Sequence, residues 1–213
     1  MNILRNNPNS VKIFIVIFYC VGLLGLVNPA TKLLFINLIP LALLLSFGLL
    51  LVFHNSGITR KDFLVFITIF GLSFLLEAVG VKTGIIFGDY TYGDSLGIKI
   101  FQTPLIIGIN WLFLTYTVTS ITDRLPFSNR LKILTAPILM VIYDLALEQV
   151  APSLDMWSWA NSTIPMQNYL AWYFISLGLI ALLKIFRIDT RNPLSFTLFA
   201  CQFIFFAILV LII

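Results

Sequence analysis

Long apolar runs alternate with short polar breaks from one end of the chain to the other. Seven of these runs are long enough to cross a hydrocarbon layer roughly 30 Å thick. They predict helices over 12–28, 33–53, 61–81, 102–122, 131–150, 167–186 and 193–213. The expected fold is an all-α polytopic membrane protein, one transmembrane helical domain over 1–213 with no room for a separate soluble domain. The connections at 28–32, 55–60, 123–130 and 187–192 are short and polar, whereas 82–101 and 151–166 are longer and rich in aromatics and acids. No small-x-small cleavage site follows the first run, so it is expected to stay in the mature protein rather than act as a signal peptide. No internal repeat or low-complexity tract is visible.

Composition agrees with this reading. The chain has 213 residues, 60% of them hydrophobic and only 10% charged, against about 25% charged in ordinary soluble domains. The basic residues orient it. With the N-terminus in the cytoplasm, Arg5, Lys12, Arg60, Lys61, Arg124, Arg130, Lys132, Lys184, Arg187 and Arg191 fall inside, and only Lys32, Lys82 and Lys99 fall outside. That asymmetry is the positive-inside signature. The net charge of +4 therefore reports topology and gives no reason to expect a nucleic-acid partner. The expected location is the cytoplasmic membrane.

Acids sort the other way. Glu77, Asp89, Asp94, Asp144, Glu148 and Asp155 all fall in the outer half or outer loops. At 1.5 Å of rise per residue, Glu77 late in the third run and Asp144 in the fifth lie at similar depth, somewhat past the midplane. Asp144 and Glu148 are four residues apart and share a helix face. Ionised groups at such depth cost several kcal/mol unless paired, protonated or beside a watery cavity, and no lysine or arginine lies there to neutralise them. At least one member of the cluster is therefore expected as a neutral acid near pH 7, with another ionised and able to act as a base.

Aromatics gather at the same end: Tyr90, Tyr92, Trp111, Trp157, Trp159, Tyr169 and Trp172. An interfacial belt would place rings at both faces, yet all four tryptophans lie on one. Ring faces also stabilise cations, and acid plus ring is a recurrent answer to protonating an alkene. Other chemistries lack their residues. The single His54 cannot supply a di-iron site, and Cys20 and Cys201 read as isolated core residues. Phosphate loops and dinucleotide fingerprints are missing, as is the second Asp-rich motif a prenyltransferase would need. No metal or cofactor is expected.

The set Glu77, Gly80-Val-Lys-Thr-Gly84, Phe87-Gly88-x-Tyr90-x-Tyr92, Pro104 and Trp111 resembles the integral-membrane carotenoid biosynthesis proteins. So does the later set Asp144-x-x-x-Glu148, Trp157-x-Trp159 and Ile164-Pro165-x-x-Asn168-Tyr169-x-x-Trp172, with Gln149 and Thr163 as departures. Members of that family look like carotenoid 1,2-hydratases, including gamma-carotene 1'-hydroxylases and bisanhydrobacterioruberin hydratases. The resemblance implies a carotenoid substrate with an acyclic end group, such as gamma-carotene or lycopene. It implies addition of water across the terminal C1–C2 double bond through a tertiary cation.

On this reading Asp144 is the first choice for the acid and Glu77 for its partner, with Glu148 and Asp89 as further catalytic candidates. Tyr90, Tyr92, Trp111, Trp157, Trp159, Asn168, Tyr169 and Trp172 line the substrate pocket. The glycine-rich 80–93 stretch reads as a lid or re-entrant turn at the outer mouth. Two alternatives stay open, a lycopene-type cyclase that quenches the same cation by ring closure, and a proton-coupled transporter.

The orientation is checked with fusions to a reporter active only in the cytoplasm. Activity is expected after Asp189 and none after Ile213, and the reverse pattern would invert every assignment of the acids to the outer half.

Overall fold

The structure, a computed structural model, describes residues 5, 7–55 and 57–212. Every expected run forms helix, because a backbone in lipid must satisfy its polar groups within its own segment. In chain order the helices are α1 (Pro8–Val27), α2 (Lys32–Asn37), α3 (Ile39–Val52), α4 (Arg60–Thr83), α5 (Ile106–Thr122), α6 (Asn129–Val150), α7 (Met166–Ile185) and α8 (Ser195–Ile212). Ile213, the last residue of the seventh expected run, lies outside the described residues. Five helical segments are long and apolar enough to span a membrane, those of α1, α4, α6, α7 and α8, while α3 and α5 are shorter apolar helices. The chain is a polytopic membrane protein.

Two boundaries differ from expectation, each for a local reason. The second run breaks at Leu38 into α2 and α3, because Pro40 in the first turn of α3 has no N–H to continue the ladder. The fourth run becomes helical only at Ile106. Just before it, β2 (Lys99–Ile100) and β3 (Thr103–Pro104) pair antiparallel around Phe101 and Gln102. Both turn residues have positive φ, 52° and 63°, as a two-residue turn matched to strand twist requires.

The core is organised around α5. Fifteen of its seventeen residues are buried, and α3, α4, α6, α7 and α8 all pack on it. The peripheral helices turn large apolar side chains outward, such as Ile13, Leu64 and Phe174, the arrangement a lipid environment stabilises. Cys20 is one of these outward residues and not the core residue expected of it, since α1 sits at the edge of the bundle; Cys201 is half-buried and both are free.

One end of the bundle is basic. There Arg124 donates to the Asn192 carbonyl (2.7 Å), Lys132 donates to the Asp123 carbonyl (3.0 Å), and Lys184 pairs with the Asp123 carboxylate. Buried His54 joins α3 to α5 through Tyr116 (Nδ1 to hydroxyl, 2.8 Å) and approaches Asp62 at 3.5 Å. Asp62 also closes a capping box with Thr59 at the start of α4. In Asp189, the Arg191 guanidinium holds the carboxyl below the usual carboxylate range.

The opposite end is roofed by the two long connections. In place of a free-standing lid, 82–101 is laddered to 151–166. Strand β1 (Tyr90–Tyr92) pairs antiparallel with β4 (Trp157–Trp159), Tyr90 facing Trp159 and Tyr92 facing Trp157. Backbone bonds from Gly93 to Met156 (2.9 Å) and from Ala160 to Asp89 (3.0 Å) extend the pairing. Two glycines let the first connection fold back onto α4. Gly84 closes the helix at φ 66°, and a Cβ there would lie 2.0 Å from Asp89 Oδ1; a Cβ on Gly80 would meet the Phe87 ring at 2.6 Å.

Gly84→Ala is expected to destabilise the protein by about 1 kcal/mol or more, since the left-handed backbone strains any Cβ. Gly178→Ala, inside α7 where nothing lies within 4 Å of the added carbon, should leave thermal stability in detergent unchanged or raise it slightly, since alanine is the better helix former. Equal melting temperatures for the two variants would refute the packing described for Gly84.

Candidate active site

Glu77 and Glu148 sit near the ends of α4 and α6, under the roof, and both are buried. Strand geometry explains what surrounds them. Residues i and i+2 of a strand face the same way, so Tyr90 and Tyr92 point together, as do Trp157 and Trp159 on the paired strand. The Tyr90 and Tyr92 hydroxyls donate to Glu77 Oε2 at 2.5 and 2.9 Å, and Trp111 Nε1 donates to Oε1 at 2.8 Å. Trp157 and Trp159 donate through Nε1 to Glu148 Oε2 at 2.9 and 2.7 Å, and Asn168 Nδ2 donates to Oε1 at 3.1 Å.

The two halves follow one plan: a helix carrying the glutamate, a strand supplying two ring donors, and a later helix supplying a third. This local repetition is not visible as sequence similarity. Each carboxylate thus fills three of its roughly four acceptor positions with protein donors, leaving one for a water or substrate-derived hydrogen. Burial, followed by the charge of Glu77, holds the Tyr90 and Tyr92 hydroxyls well above the ordinary phenol range. Both tyrosines therefore remain donors throughout the working pH range.

The two glutamates border one small void, of about 20 Å³. That is room for about one water molecule, since a single water needs roughly 10–15 Å³ by this measure. Tyr90, Tyr92, Trp111, Trp157, Trp159, Asn168 and Trp172 complete the wall with Phe87 and Ile107. Trp111 and Trp172 stack at 4.4 Å between centroids, and Tyr90 meets Trp159 at 5.1 Å. Ten of the eleven lining residues therefore carry a ring, a carboxylate or an amide. Among the described residues, no group of three or more His, Cys, Asp and Glu side chains is arranged to hold a metal ion.

Three expected site residues sit elsewhere. Asp144, favoured by the depth argument as the acid, does not line the void. It lies one helical turn before Glu148, where its Oδ2 accepts from the same Asn168 amide (2.8 Å) and its Oδ1 is buried without a partner. Depth along the helix placed it in the cluster but could not show that the void is set at the roofed end, beside Glu148. Asp89 is exposed, with its side chain beside Gly84, because the chain turns there to enter β1. Tyr169 is partly exposed and outside the lining, since on α7 it follows Asn168 around the helix and cannot share its inward face. Phe87 and Ile107 join the lining without having been picked. The place of Phe87 in the motif Phe87-Gly88-x-Tyr90-x-Tyr92 was the available signal for the first, and nothing distinguished Ile107 from its apolar neighbours.

The long apolar helices define the chain as a polytopic membrane protein, and the buried carboxylate pair, the ring donors on paired strands and the void of one water's size are its candidate site. The family model described as "Carotenoid biosynthesis protein" matches residues 34–213, and the chain belongs to that family. It is 26% identical over 159 residues to a protein of Haloarcula japonica named bisanhydrobacterioruberin hydratase, covering 68% of this chain and 52% of that protein. The chain thus spans about half the length of this curated relative. No solved structure matches the chain.

Tyr90→Phe keeps the ring and removes one donor from Glu77. It is expected to cost about 1–3 kcal/mol of stability, the range for leaving a buried polar group short of a partner. Asp94→Asn, at an exposed pair with Lys99, should be nearly silent. Both are read as shifts of melting temperature in detergent, and a Tyr90→Phe shift as small as that of Asp94→Asn would refute the role given to the hydroxyl.

Proposed function

We propose that this chain is a cofactor-independent carotenoid hydratase, adding water across the terminal C1–C2 double bond of an acyclic carotenoid end group. The observation that carries the reading is the pairing of two buried glutamates around a ring-lined void of one water's volume. Membership of the carotenoid biosynthesis family and the name of the Haloarcula japonica relative support the substrate class.

In the proposed reaction, Glu148 gives a proton to C2 of the end group, and the π electrons of the C1–C2 bond form the new C–H bond. The tertiary cation left at C1 faces the tyrosine and tryptophan rings, which stabilise it as they would any cation. A water held by Glu77 adds to C1, and Glu77 takes the proton that the water loses. Transfer of that proton back to Glu148 restores the starting state, so no proton is consumed overall. Asp144, sharing the Asn168 amide with Glu148, acts behind it as a proton reserve. A void with space for water favours hydration over ring closure, in which water must be kept from the cation.

We place the roofed end on the outer face of the cytoplasmic membrane. The seven helical passes run from a cytoplasmic N-terminus, with α2 and α3 together making the second. The gathering of basic residues at the opposite end supports this orientation.

The test is expression in bacteria that accumulate lycopene or gamma-carotene. The expected product is heavier by one water, with its oxygen drawn from ¹⁸O-labelled water. Glu148→Gln and Glu77→Gln should each lower its formation about 10²–10⁴-fold, the usual contribution of general acid–base catalysis, and Asp144→Asn by less. An isomeric cyclic product would replace hydration by cyclisation, and label arriving from ¹⁸O₂ would end the hydratase reading.

A further inference from the structure

A void of about 20 Å³ holds a water but cannot hold an isoprenoid chain, so the body of any long apolar substrate must lie elsewhere. A second cavity, of about 400 Å³, lies on the other side of α5. It is walled by α1, α3, α6 and α8 and is almost wholly apolar, with Phe35, Leu43 and Phe206 among its lining. Leu96, Leu154 and Met156 from the two roof segments also line it. The connections that bring rings to the glutamates therefore also border this cavity.

The two cavities share one lining residue, Ile107. On α5, Ile107 contributes to both walls, while Asn110 faces the large cavity and Trp111 faces Glu77. At that point the linings of the two spaces meet on one side chain.

We propose that the large cavity is the seat of the substrate's polyene, and that the end group reaches the glutamates past Ile107, which controls what may pass. This inference rests on the hydratase reading for the identity of the occupant. The occupant is an extended, unsaturated isoprenoid chain. Its end nearest Ile107 lies toward the chemistry, and the rest runs along the channel between α1, α3 and α8. Asn110, the buried amide beside the partition, also lines this cavity.

The experiment reads binding apart from reaction. Purified full-length protein in lipid nanodiscs is mixed with lycopene, and binding is followed by the induced circular dichroism of the visible polyene band. Gly22 lines the cavity, and a Cβ there would meet its nearest neighbour, Phe205, at an ordinary 3.5 Å. Gly22→Leu thus fills the channel without a backbone clash, and Ala42→Phe fills it from the facing wall. Both should weaken lycopene binding at least about tenfold, the lower end of what blocking part of a hydrophobic pocket costs. Gly178→Leu, where nothing lies within 4 Å, should bind as the wild type does. Ile107→Phe should keep the lycopene signal and lose hydrated product.

Unchanged binding in well-folded Gly22→Leu and Ala42→Phe would overturn the proposal. So would a wild type that gives no induced signal, or native mass spectra in which these variants release phospholipid while lycopene binding persists. Wild-type binding abolished by both variants, with no hydrated product from any form, would support the channel and count against the hydratase reading alone.

Discussion

An acid placed in a hydrocarbon-like interior must be given donors, and here the donors are aromatic. That requirement shapes most of the roofed end. Glu77 and Glu148 are reached by four ring donors from two strands, one from α5 and one amide from α7. No single helix could present so many donors to one carboxylate, because neighbouring positions on a helix point in different directions. A two-residue spacing on a strand can. The short β1–β4 ladder exists in an otherwise helical protein for this geometric reason, and Gly80 and Gly84 are needed so that the chain can reach it from the end of α4.

The donors have a second property, which joins stability to chemistry. A lysine or arginine would have neutralised each glutamate and fixed its charge. Phenol and indole hydrogens satisfy the oxygens while leaving the net charge of the centre to be set by protons. The same rings line the void, so the groups that hold the acids in place are those that would lie beside a developing cation.

How much of this could be read from the chain is decided by how local each feature is. The helices follow from uninterrupted apolar runs. Glu77 and Glu148 stand out because ionisable residues at that depth need a reason, Trp111 because the tryptophans gather at one end, and Asn168 only through the resemblance to a known family. The pairing of Tyr90-x-Tyr92 with Trp157-x-Trp159 joins segments more than sixty residues apart, and three residues of alternation are too short a pattern to announce a strand. The turn at Phe101–Gln102 uses positive φ without glycine or asparagine, so its usual marker is missing and the helix was expected to start too early. Pro40 did mark the break between α2 and α3, but the apolar run on both sides hid it. Asp144 was placed in the cluster by depth, but depth along a helix says nothing about which residue borders a void. The large cavity is a property of how six helices pack and left no trace in any of them.

The partition made by α5 has a consequence for how such a protein can change. The helix is the common wall of two rooms that share only Ile107, and one of those rooms draws much of its lining from α1, which lies before the stretch that the family model matches. Mutations on α1 can widen, shorten or redirect that room while every contact to the glutamates stays as it is. On the proposed reading, the choice of molecule and the act performed on it therefore rest on different faces of one helix.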